Sequence, residues 1–103
     1  PGKEIAFLIQ ERWDRNFQNK IAIVVGDEWY GGNLSYHLKS RPIWFNKLPD
    51  EVVTNKLLID EILGAKYSGG GIIYTGNSEV LKNVCPGIFG KIRSQGICMI
   101  GSK

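Results

Sequence analysis

Long apolar stretches are missing from this chain. The two most extended, Ile5 to Ile9 and Ile21 to Val25, fall far short of the ~20 residues an α-helix needs to cross a bilayer. Cysteine and histidine are scarce. Cys85 and Cys98 are not spaced as C-x-x-C and have no histidine cluster near them, so no metal site is expected. Two buried thiols are the plainer reading of the pair, with a disulfide left open should the compartment be oxidising. An excess of one charge is also lacking: 13 Lys and Arg stand against 10 Asp and Glu, a net charge of +3. No Lys/Arg stretch is dense enough to track a phosphate backbone, so no nucleic-acid partner is expected. Nor is there an initiator Met or an apolar signal core behind Pro1-Gly2-Lys3, which leads us to expect a piece cut from a longer polypeptide.

What is present is enough for one core. With 103 residues, 43% of them hydrophobic, residues 1–103 read as a single soluble α/β domain. From Lys3 to about Phe17, Ile5, Ile9, Trp13 and Phe17 recur every fourth position, which predicts an amphipathic helix broken by Gln18-Asn19-Lys20. Ile21 to Val25 is β-branched and apolar on both faces, the mark of a central parallel strand. Glu28 to Lys39 predicts a second helix with Asp27 as its cap. Gly31-Gly32 inside it implies either close backbone packing or a late helix start. Pro42 to Phe45 predicts a short strand, and Thr54 to Gly64 a third helix. Ile72 to Thr75 reads as a buried strand and Ser78 to Val84 as a helix capped by Asn77. Ile88 to Arg93 is ambiguous, and Ile97 to Ile100 is a last strand of open direction. The alternation favours a small three-layer α/β/α domain with a mostly parallel sheet of roughly three to five strands. Ligands of such sheets sit beyond the strands' carboxyl ends, here Gly26 to Gly32 and Gly76 to Ser78.

The stretch Gly26 to Asn33, G-D-E-W-Y-G-G-N, is the most distinctive, yet it carries neither a Walker loop nor a dinucleotide fingerprint, so no cofactor is expected. Two acids at the helix start would repel a phosphate. Asp27 and Glu28 could pair as acid and base, but adjacent residues diverge, and capping by Asp27 with Glu28 at the positive helix end is the stronger reading. Trp29 and Tyr30 could stack on a sugar ring, although at least one of them is expected in the core. His37 has no identifiable orienting partner, Ser35 lacks the G-x-S-x-G elbow, and neither cysteine has a base nearby. The chain therefore shows no complete catalytic site. Gly69 to Gly71 precedes a strand and reads as a flexible connector.

Val24 to Leu38, V-V-G-D-E-W-Y-G-G-N-L-S-Y-H-L, followed by Arg41-Pro42, resembles the C-terminal soluble domain of lipid-phosphate-sugar-dependent membrane glycosyltransferases, the dolichyl-phosphate-mannose protein mannosyltransferase and aminoarabinose transferase relatives. Asp27, Trp29, Gly32, Asn33, Arg41 and Pro42 fit that pattern, and Gly31 stands where alanine is expected. The close match covers about a quarter of the chain, and agreement of fold alone does not establish function. The resemblance implies a polytopic parent at the extracytoplasmic, periplasmic face of a bacterial inner membrane. That parent would move a sugar from a polyprenyl-phosphate carrier to a lipid or protein acceptor. The family's acidic catalytic residue lies between membrane helices, so this domain would be accessory or acceptor-facing, without catalytic residues of its own. Asp27, Trp29, Asn33 and Arg41 would line the surface turned to substrate. Its partners would be the membrane-embedded part of the same polypeptide and a lipid-linked sugar or acceptor. The alternatives are an interaction module with no carbohydrate role and, less well supported, a flavodoxin-like enzyme.

Overall fold

Spaced four apart, Ile5, Ile9 and Trp13 fall on one face of a helix. In the computed structural model, which describes residues 1–46 and 69–103, helix α1 (Gly2–Asn16) buries that ridge together with Gly2 and Ala6. Phe17 turns extended, and its N–H still donates to the Trp13 carbonyl at 2.8 Å, closing the last turn. The break residue Asn19 then gathers three segments. Its carbonyl accepts from the Trp13 indole N–H at 2.6 Å, its side-chain oxygen accepts from the Ser102 N–H at 3.0 Å, and its amide donates to the Gly69 carbonyl at 2.9 Å.

Strand β1 (Ile21–Val25) is buried at every position, as a β-branched run apolar on both faces should be. An irregularity in its pairing between Ile21 and Ile23 resets the alternation of side chains. Ala22 and Ile23 consequently belong to one apolar cluster, with Ile21 and Val24 in the other. After β1 come α2 (Glu28–His37), β2 (Ile43–Phe45), β3 (Gly71–Asn77), α3 (Ser78–Val84), β4 (Ile88–Ile92) and β5 (Gln95–Ile100). The helix expected from Thr54 to Gly64 lies outside the described residues.

The five strands form one sheet in the order β2-β1-β3-β5-β4. β1 pairs in parallel with β2 and β3, whereas β5 runs antiparallel to both β3 and β4. The sheet is therefore mixed, and the expectation of a mostly parallel one holds only for its β2-β1-β3 part. The reason is a hairpin: β4 and β5 are joined through Arg93 and Ser94, with Arg93 in the left-handed region at φ 59°. The ambiguous stretch Ile88 to Arg93 is thereby settled as a strand and its turn.

Helices α1 and α2 bring Ile5, Ile9, Trp13 and Leu34 against Val24, Ile73, Ile97 and Met99. A second cluster joins Leu81 of α3 with Ile23, Val25, Ile72, Tyr74 and Cys98. Burying each such large side chain stabilises the fold by about 1.5–3 kcal/mol. Asn77 caps α3 as expected, its side-chain oxygen accepting from the N–H groups of Glu79 (2.9 Å) and Val80 (3.2 Å).

Two expectations are corrected. Cys85, at the C-cap of α3, and Cys98, on β5, are joined in a disulfide with their Cα atoms 5.7 Å apart, so they are not free thiols. Closing a loop of 13 residues restrains the denatured chain and contributes about 3 kcal/mol in the chain-entropy account. Gly71 is likewise not a loose connector. It opens β3, its N–H donates to the Lys20 carbonyl at 2.8 Å, and a Cβ there would overlap the Trp13 indole.

Candidate functional site

The distinctive stretch builds α2 from its first residue. Asp27 sits before the helix with extended backbone, and its carboxylate accepts from the Tyr30 N–H at 2.8 Å. That satisfies one of the four donors a helix start leaves free. Glu28 occupies the first turn, where a negative charge favours the positive end of the helix. The helix thus starts early and runs through both glycines, and the two serve different ends. At Gly31 a Cβ would overlap the Trp44 indole, whose N–H donates to the Gly26 carbonyl at 3.0 Å. Close approach of the helix to Trp44 of β2 therefore accounts for a glycine at this position. At Gly32 nothing lies within 4 Å of an added Cβ.

That open position is one side of a shallow, open hollow of ≈ 430 Å³ lined by Glu28, Trp29, Gly32, Asn33 and Tyr36. Trp29 is 46% exposed and Tyr36 64%, while Tyr30 turns inward and packs on the core. Asn33 is fixed by its amide, which donates to the Trp29 carbonyl at 2.7 Å. Arg41 adopts φ 48° and lays its guanidinium 4.9 Å from the centroid of the Tyr36 ring. Its turn is held by the Arg41 N–H to the Leu38 carbonyl (3.0 Å), and the hydroxyl of Ser35 donates to the Pro42 carbonyl at 2.5 Å.

Of the residues the sequence singled out, Trp29 and Asn33 line this hollow, and Arg41 stands at its edge against Tyr36. Asp27 is exposed, outside the lining, with its carboxylate engaged as the cap. Sequence reasoning missed Tyr36 as a lining residue and did not single out Gly32 as one. The signal was there in the spacing: Trp29, Gly32 and Tyr36 recur at i, i+3 and i+7, which places them on one helix face.

The carboxyl ends of β1 and β3 meet as expected. Gly26 approaches Thr75 so closely that a Cβ would overlap the threonine hydroxyl oxygen. The hydroxyls of Thr75 and Tyr74 are buried without a hydrogen-bond partner among the described residues, and burial pushes the Tyr74 phenol above its ordinary range.

Chemically, the arrangement around α2 offers contact surface and hydrogen-bonding groups. Ser35 is spent on Pro42, His37 lies edge-on to Tyr36 with centroids 4.9 Å apart, and Asp27 is a cap. No nucleophile stands beside a base on this helix. Among the described residues no three His, Cys, Asp or Glu gather as metal ligands, and no helix is long and apolar enough to cross a membrane. No family model, curated protein or solved structure matches the chain.

Proposed function

We propose that this chain is the accessory, acceptor-facing domain of a membrane glycosyltransferase that moves a sugar from a polyprenyl-phosphate carrier to a lipid or protein acceptor. The observation that carries the reading is where the motif spends its side chains. Trp29 and Tyr36 are turned outward beside a hollow, although packing large aromatics inward would stabilise so small a domain more. A surface of exposed aromatics and polar groups suits carbohydrate. The disulfide between Cys85 and Cys98 supports an extracytoplasmic, periplasmic location, because such bonds persist in oxidising compartments. A three-layer arrangement belongs to the same reading, with α1 and α2 on one face of the sheet and α3 on the other. Bond making is left to the membrane-embedded part of the parent.

The test is made in the parent polypeptide, assayed in membranes for sugar transfer. Several membrane spans outside this domain are expected, and Trp29→Ala combined with Arg41→Ala is expected to lower transfer while the protein still accumulates. A parent without spans, or transfer indifferent to both replacements, would remove the basis of the proposal.

A further inference from the structure

The hollow on α2 also indicates which part of a glycosylated ligand it suits. Trp29 and Tyr36 are seven residues apart on the helix, about 10 Å of rise, which is the length of a disaccharide. Gly32 lies in the turn between them, and open space above it leaves room for sugar rings to lie along the helix. One face of Tyr36 is occupied by the Arg41 guanidinium, which steadies the ring while 64% of the residue stays exposed. Trp29 is steadied by an edge contact with Tyr30, centroids 4.8 Å apart. Rings already held by such contacts while partly exposed lose little freedom when a ligand stacks on them.

The charge of the hollow selects further. Its lining contains one carboxylate, Glu28, and the cation at its edge, Arg41, lies outside the lining with its guanidinium stacked on Tyr36. A carboxylate accepts hydrogen bonds from sugar hydroxyls and repels phosphate. From this geometry we infer that the hollow binds an uncharged oligosaccharide segment, with Trp29 and Tyr36 as stacking platforms and Glu28 and Asn33 as hydroxyl partners. The phosphate-bearing carrier is excluded from it. This deepens the reading above and rests on it, assigning the domain to the sugar of the acceptor.

The experiment is a heteronuclear NMR titration of the 103-residue chain with maltose, cellobiose and mannobiose, and separately with glucose phosphate. A neutral disaccharide is expected to move the Trp29 indole N–H and the amides of Gly32 and Asn33. Gly32→Leu fills the hollow at a position with free space, so the spectrum of the core should persist while affinity falls roughly tenfold; Trp29→Ala should weaken binding comparably. Absence of shifts with all three disaccharides, binding unchanged in Gly32→Leu, or a preference for glucose phosphate would each overturn the inference. The two proposals can fail separately. Transfer by a parent whose domain ignores disaccharides removes only the saccharide site. Disaccharide binding by a domain whose parent transfers nothing removes only the transferase.

Discussion

Helices α1 and α2 lie side by side on the same core, yet they use large side chains in opposite ways. α1 buries Ile5, Ile9 and Trp13 in a continuous ridge. α2, ten residues long, buries only Gly31 and Leu34. Its two neighbouring aromatics divide, Tyr30 packing inward and Trp29 staying out. A helix with so little apolar grip is held at its ends and by close approach: Asp27 caps it, Leu38 is buried just past it, and Gly31 lets it settle on Trp44. The difference teaches that α1 supplies stability and α2 presents a surface, and that one residue type can serve either purpose.

Tryptophan gives the sharpest way to break that comparison. Trp13→Ala should cost about 3–5 kcal/mol, since it empties a core site and removes the donor to Asn19, whereas Trp29→Ala should stay within about 0.5 kcal/mol of the parent in urea unfolding. Equal losses would mean α2 is as much a core element as α1. Next come the adjacent glycines, for which opposite signs are expected. Gly31→Ala drives a methyl into a hydrogen-bonded indole and should destabilise by about 1–3 kcal/mol. Gly32→Ala meets nothing and should stabilise by about 0.5–1 kcal/mol through helix propensity, read as a rise in melting temperature. Asp27→Ala should then cost about 1 kcal/mol, measurable by chemical unfolding, as the Tyr30 N–H loses its acceptor.

The smallest effect concerns Tyr74, in the second apolar cluster. Its phenol is raised by burial, so the fold favours the neutral form. Its contribution is intact below the ordinary tyrosine pKa of ~10 and is lost as pH rises beyond it. Alkaline unfolding should therefore be gentler in Tyr74→Phe than in the parent, and an unchanged alkaline limb would assign the loss to other groups.

Much of the fold could be read from local pattern. The ridge of α1, the doubly apolar β1, the Asp27 and Asn77 caps and the extent of α3 all follow from periodicity and capping chemistry within a few residues. The β4–β5 hairpin escaped because Arg93-Ser94 carries none of the Asn-Gly or Asp-Gly marks of a tight turn. The disulfide escaped because Cys85 and Cys98 stand on different elements, and only sheet pairing brings them within bonding distance. As for the site, Trp29, Asn33 and Arg41 could be named in advance. Gly32 was named only as part of the pattern and Tyr36 not at all, although their spacing with Trp29 on one helix face carried the signal.

By itself, then, the sequence determined the kind and order of elements at which residues act through neighbours three or four places away: helices, caps and the buried central strands. Only the tertiary structure decided which of two adjacent aromatics faces outward, why one glycine must be a glycine while the next leaves a hollow, and that the final strands run antiparallel. Those outcomes turn on contacts such as Gly31 with Trp44 and Cys85 with Cys98, where the energy of a residue is set by groups remote in the chain.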